Sequence, residues 1–151
     1  MSYERMPLRP MRVVREPAYS HRVKVLVVDD VTRVRARLAA MLMEVPGVTA
    51  VFEADGIAAA IRALHAGDPD VIVLDLHLRE ESGLLLAARV KRERPDVLLV
   101  MMTNQPTVPM RRQCLALGVD YFFDKSRDFE DVLQVVLEAV GPTRARETSH
   151  T

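Results

Sequence analysis

Four β-branched or aliphatic residues stand in unbroken succession, Val71-Ile72-Val73-Leu74, and a carboxylate, Asp75, follows at once. Asp68-Pro69-Asp70 precedes the run, and the polar stretch His77-Leu78-Arg79-Glu80-Glu81-Ser82-Gly83 follows it. An apolar run of this length, bounded by turn residues, predicts a strand buried on both faces. Such strands lie in the middle of parallel α/β sheets, whose ligands bind along the carboxyl edge. Taken alone, Asp75 could simply end a strand or stabilise a turn. The balance shifts because Asp29-Asp30, Thr103 and Lys125 each stand at the end of another apolar run.

The other elements follow from pattern. Val23 to Val28 form the first strand, ending in Asp29-Asp30. Val34, Leu38, Met41, Leu42 and Val45 then recur at helical spacing until Pro46-Gly47 stops them. Val48 to Glu53 predict a short second strand, and Asp55-Gly56 leads into an alanine-rich helix with Ile57, Ile61 and Leu64 on one face. After Ser82-Gly83 a helix runs from Leu84 to Arg94, its exposed side carrying Arg89, Lys91, Arg92 and Glu93. Val97 to Met102 form the fourth strand and deliver Thr103. Pro109 suits the first turn of a helix reaching Leu117, and Gly118 suits a left-handed cap. Val119 to Phe123 form the fifth strand, ending at Asp124-Lys125. A last helix from Asp128 to Val140 turns Phe129, Leu133, Val136, Leu137 and Val140 inward. Strands alternating with helices over short connections specify an α/β fold, a doubly wound five-stranded parallel sheet. Right-handed crossovers favour the flavodoxin-like order 2-1-3-4-5.

Several function classes are disfavoured. Lys plus Arg (21) equals Asp plus Glu (21), so no overall field draws nucleic acid. No apolar stretch approaches the ~20 residues of a membrane span, and the N-terminus has no hydrophobic signal region, which predicts a cytoplasmic protein. The lone Cys114 fits a reducing compartment and, in the pattern Met110-Cys114-Leu117, a core position. Asp29-Asp30-Val31-Thr32-Arg33 stands where a dinucleotide fold would show a glycine-rich phosphate loop. Residues 1–21, with Pro7, Pro10 and Pro17 among Arg5, Arg9, Arg12 and Arg15, read as a flexible basic arm. Residues 22–141 form one domain, and 142–151 a polar tail too short for a helix-turn-helix, so direct DNA binding is not expected.

In the expected layout Asp29, Asp30, Asp75, Thr103 and Lys125 converge on one shallow pocket. Three clustered carboxylates repel one another and invite a hard divalent cation, and Mg²⁺ suits a site of few carboxylates plus waters. A lysine beside them supplies a point charge for an anion. A hydroxyl can hydrogen-bond an oxyanion. These are the parts of phosphoryl transfer, with Asp75 as acceptor and an acyl phosphate as product.

From about His21 to Val140 the chain resembles the receiver domain of bacterial two-component response regulators. The resemblance rests on Asp29-Asp30, Asp75, Gly83, Thr103, Gly118, and Phe122 with Lys125, in order and at the expected strand ends. It implies that Asp75 takes phosphate from a phosphohistidine on a sensor histidine kinase or phosphotransfer protein. It implies that Asp30 and Asp75 ligate Mg²⁺ with the backbone carbonyl of His77, and that Asp29 acts partly through water. Thr103 and Lys125 would bind phosphoryl oxygens, and Phe122 would turn inward as Thr103 moves. The expected role is then signalling by phosphorylation-dependent contact with a protein output partner, or within a homodimer, rather than enzymatic turnover. Two alternatives carry less weight. A pseudo-receiver scaffold without phosphotransfer has no need of all five pocket residues, and a phosphohydrolase acting on an external substrate would need a lid that this chain lacks.

Three positions depart from the family pattern. Arg79 stands where a proline usually follows the phosphorylated turn, Asn104 replaces a small residue, and Ser126 replaces the proline after Lys125. That proline's peptide bond is commonly cis, a form costing ~2.5–4 kcal/mol for other residues. A trans Lys125-Ser126 bond is therefore expected, with Ser126 capping the last helix.

Overall fold

Alternation within the central strands decides which helix lies on which face. The computed structural model describes residues 22–141; the stretches read as a basic arm and a polar tail lie outside the described residues. The elements are β1 (Val23–Val28), α1 (Thr32–Met43), β2 (Val48–Ala54), α2 (Ile57–Gly67), β3 (Val71–Asp75), β4 (His77–Leu78) and β5 (Glu81–Ser82). They continue with α3 (Gly83–Glu93), β6 (Leu98–Thr103), α4 (Val108–Ala116), β7 (Tyr121–Asp124) and α5 (Phe129–Val140). The main sheet is parallel with order β2-β1-β3-β6-β7, which is the 2-1-3-4-5 layout expected.

Leu26, Val28, Ile72, Leu74, Leu99 and Met101 point to one face and meet Ala60 and Leu64 of α2, Leu86, Ala87 and Val90 of α3, and Cys114 of α4. Val25, Val27, Val71, Val73, Val100 and Met102 point to the other, against Leu38 and Leu42 of α1 and Val132, Val136 and Val140 of α5. Successive side chains of a strand face opposite ways, so a continuous apolar run feeds two cores at once. Each fully buried Val or Leu contributes about 1.5–3 kcal/mol relative to exposure. Cys114 is fully buried, as its spacing suggested.

Some boundaries and faces differ from the pattern reading. The fourth and fifth strands begin at Leu98 and Tyr121, one and two residues later than expected from the apolar runs. Val97 and Val119 are buried, but they lie just outside the strands; Asp120 bonds across the gap, its Oδ2 accepting from Leu99 N at 2.8 Å. Leu137 is 40% exposed rather than inward. Helix α5 buries Val132, Val135, Val136 and Val140, and Leu137 falls one position, about 100°, around from that stripe. Lys91 does not simply face solvent: its Nζ donates to Val97 O at 2.9 Å and pairs with Asp120. Gly118, at φ 94, is left-handed as expected of a helix end.

The stretch after Asp75 holds an element that no periodicity announced. His77–Leu78 and Glu81–Ser82 pair antiparallel as a short hairpin, with Arg79 at its turn in the left-handed region, φ 56. Ser82 then caps α3, its Oγ accepting from Leu84 N at 3.2 Å. Gly83 N donates to Leu76 O at 2.7 Å, and a Cβ at Gly83 would strike the Asp75 carbonyl oxygen. Gly83→Ala is therefore expected to destabilise the fold by about 1–3 kcal/mol, as overpacking against backbone does. Urea unfolding of the two proteins measures it; equal stability would show that the backbone around Asp75 yields freely.

Candidate functional site

The register of the sheet sets the site. Asp75 lies opposite Met102, so the next residue of β6, Thr103, stands just beyond it at the carboxyl edge. Thr103 in turn lies opposite Asp124, and Lys125 N donates to Thr103 O at 2.8 Å, which delivers the Lys125 side chain over the neighbouring strand ends. Asp29 and Asp30 leave β1 on the other side of β3. One carboxylate oxygen from each of Asp29, Asp30 and Asp75 lies within 4.8 Å of the others.

Lys125 ties this cluster together. Its Nζ lies 2.6 Å from Asp29 Oδ2 and 2.8 Å from Asp75 Oδ2. The remaining oxygens meet backbone donors: Val31 N reaches Asp29 Oδ1 at 2.8 Å, and His77 N reaches Asp75 Oδ1 at 3.1 Å. Asp29 and Asp75 are buried, whereas Asp30 is partly buried and pairs with Arg79, Nε to Oδ2, at 3.8 Å. Burial pushes the Asp75 carboxyl up, further than hydrogen bonds from Lys125 and His77 draw it down, and the Asp29 charge adds to the rise. Burial alone would depress the Lys125 ammonium, but its hydrogen bonds to Asp29 and Asp75 outweigh that and hold it above the usual lysine value. Both shifts follow from one cation shared between two acids in a poorly hydrated edge.

The other expected residues are placed less uniformly. Thr103 is fully buried, and its Oγ1 accepts from Gln105 N at 3.2 Å within its own loop. That bond leaves the hydroxyl proton available as a donor. Phe122 is half-buried against the core and lines a small cavity of about 230 Å³ with Pro106, Thr107, Val108 and Arg111. His77 is exposed, its backbone N–H facing Asp75.

Ser126 corrects an expectation. The described peptide bonds are all trans, Lys125-Ser126 among them, but Ser126 does not cap α5. Its N and Oγ both donate to Asp124 Oδ1, at 2.9 and 2.7 Å, while Asp124 N donates to Asp128 Oδ2 at 2.9 Å. A serine hydroxyl bonds most readily to the carboxylate two residues back, which closes the turn locally. These bonds from Ser126 hold the Asp124 carboxyl below its usual range.

Two further residues shape the site. Arg35 of α1 donates to the Asp29 carbonyl at 2.8 Å and to Glu53 Oε1 at 3.0 Å, bracing the acidic turn against β2. Glu81 Oε1 accepts from Ile57 N at 3.1 Å and so fastens the hairpin to the start of α2. Arg35 lies one residue past the apolar Val34, on the edge of the buried face of α1, which was its only sequence signal. Glu81 had none, because its partner is a backbone amide 24 residues away.

The raised carboxyl of Asp75 has a measurable consequence. Its folded pKa exceeds the ordinary Asp value of about 3.9, so the folded chain holds more protons than the unfolded one between those values. Stability from this group therefore falls as pH rises through that window and stays lower above it. Asp75→Asn removes the charge while Asp29 retains Lys125. In metal-free buffer at pH 7 the variant is expected to melt about 2–4 °C higher, a shift that disappears below the window. Thermal melts at several pH values check this; a lower melting temperature at pH 7 would contradict it.

The comparisons with known proteins agree with this geometry. Residues 25–137 match the family model described as the response regulator receiver domain. Among curated proteins, the sensory transduction protein LytT of Enterococcus faecalis is 38% identical over 76% of this chain and 47% of its own length. The response regulator GacA of Pseudomonas aeruginosa is 26% identical over 81% of this chain and 57% of its own length. The chain thus spans about half the length of the curated relatives it matches. Among solved structures, the signal receiver domain of NarL from Mycobacterium tuberculosis superposes with TM-score 0.71 at 27% identity, over 80% of this chain and 97% of that one. A Burkholderia pseudomallei response regulator, crystallised with a phosphorylated aspartic acid, a calcium ion and citrate, gives TM-score 0.68 at 27% identity, over 85% of this chain and 71% of that one. By its fold, the convergence of Asp29, Asp30, Asp75 and Lys125, and a family match covering most of its length, the chain belongs to the response regulator receiver domain family.

Proposed function

We propose that this chain acts as a response regulator receiver, phosphorylated on Asp75 and signalling by protein contact. The observation that carries the reading is Lys125 Nζ placed 2.8 Å from Asp75 Oδ2, at the end of the central strand and beside two further carboxylates. The Burkholderia relative, with its phosphorylated aspartic acid and a hard divalent ion, is consistent with it. In this reading residues 22–141 are the receiver, and 1–21 and 142–151 are an arm and a tail. A sensor histidine kinase or phosphotransfer protein supplies the phosphoryl group. An Asp75 oxygen bonds to phosphorus, the phosphorus–nitrogen bond of the phosphohistidine breaks, and the imidazole leaves with the electron pair.

The donor set of Asp29, Asp30 and Asp75 is all hard oxygen, clustered within 4.8 Å, which fits a small divalent cation. Mg²⁺ would be held by Asp30, Asp75 and the His77 carbonyl, with Asp29 through water, and when bound would neutralise charge on the phosphoryl oxygens. Lys125 exchanges its bond to Asp75 for one to a phosphoryl oxygen. Thr103 turns its hydroxyl proton to another, leaving Gln105. That movement opens room for Phe122 and changes the surface of α4, β7 and α5, where the output partner or a second copy docks.

Incubation with Mg²⁺ and a small acyl-phosphate donor is expected to label wild type and not Asp75→Asn. Label persisting in the variant would displace Asp75 as acceptor. A wild type that folds but takes no label, from donor or kinase, would leave a scaffold role in its place. Thr103→Ala is expected to retain labelling within about tenfold while losing the phosphorylation-dependent change in hydrogen exchange over α4 and β7. If that change persists in full, Thr103 is not the switch.

A further inference from the structure

Arg79 is placed by independent features of the chain. Its backbone is left-handed, φ 56, at the turn of the β4–β5 hairpin. Glu81 fastens that hairpin by capping α2, a helix with no side-chain cap of its own. From this turn the guanidinium Nε lies 3.8 Å from Asp30 Oδ2. Lys125 pairs with Asp29 and Asp75. Among the described residues, the cation paired with Asp30 is Arg79.

We propose that Arg79 is a tethered counter-cation, paired with Asp30 until a divalent ion displaces it, and that it thereby sets the metal affinity of the pocket. The inference rests on the reading that Asp29, Asp30 and Asp75 take Mg²⁺. The two cations of the pocket differ in kind. The Lys125 side chain is 9% exposed and bonded to two acids, whereas that of Arg79 is 67% exposed and meets one acid at long range. A pair whose cation is this exposed, held by one contact at 3.8 Å, is weak, which is what a displaceable one requires. Its charge still acts at a distance: a guanidinium held a few ångströms from the cation site opposes an incoming dication. A proline at this position would have no charge and could not adopt φ 56.

Calorimetric titration of the full chain with Mg²⁺ tests this. Arg79→Ala is expected to bind Mg²⁺ about three- to tenfold more tightly than wild type at low salt, the gap narrowing as salt rises. Arg79→Lys keeps the charge and should behave as wild type. In the Asp30→Asn background, removing Arg79 should tighten binding far less. Equal or weaker binding by Arg79→Ala, or Arg79→Lys behaving like Arg79→Ala, would overturn the proposal while leaving the metal reading intact. Absence of Mg²⁺ binding in wild type would overturn both.

Discussion

The ammonium of Lys125, lodged between Asp29 and Asp75, is the contact on which the rest of the pocket depends. It reaches from the end of the edge strand β7 across β6 to the ends of β3 and β1, so one side chain joins the carboxyl edge of four strands. Without it, two buried carboxylates would face one another with no cation between them, a costly arrangement. The strands can bring acids together only because the two apolar cores beneath them supply the stability. Function here is a local electrostatic strain carried by a well-packed sheet.

Much of this was legible in the sequence, and for definite reasons. Val71-Ile72-Val73-Leu74 reads as a strand buried on both faces because the run is short, rich in β-branched residues and bounded by turn residues, and the sheet order follows from alternation and crossover hand. The convergence of Asp29, Asp30, Asp75 and Lys125 follows from order alone, since each stands at or just past the carboxyl end of a strand, whereas the Thr103 hydroxyl, at the end of β6, bonds within its own loop. What escaped pattern reading was structure made by single contacts. The hairpin after Asp75 has two-residue strands, too short for any period to register. Leu137 was misplaced because an apolar helix of this composition offers more hydrophobic positions than its buried stripe can use.

The connection from β7 to α5 shows how a changed residue is absorbed. Ser126 and Asp128 both direct their polar groups to Asp124, through its carboxylate and its N–H respectively. The turn is thereby closed within five residues, and Lys125 N remains bonded to Thr103 O. The lysine is thus delivered by the sheet register, and the turn after it is free to vary. That division explains why the residue following Lys125 can depart from the family pattern while the ammonium stays in place.

The Glu81 carboxylate links two backbone segments far apart in the chain. Because it satisfies the Ile57 amide, the first turn of α2 and the loop leaving Asp75 share one boundary condition across 24 residues of sequence. Any ligand that lifts the hairpin must also bare that amide to solvent. The exchange rate of a single backbone proton, on a helix that contributes no side chain to the acidic cluster, then becomes a gauge of how far the loop beside Asp75 has moved.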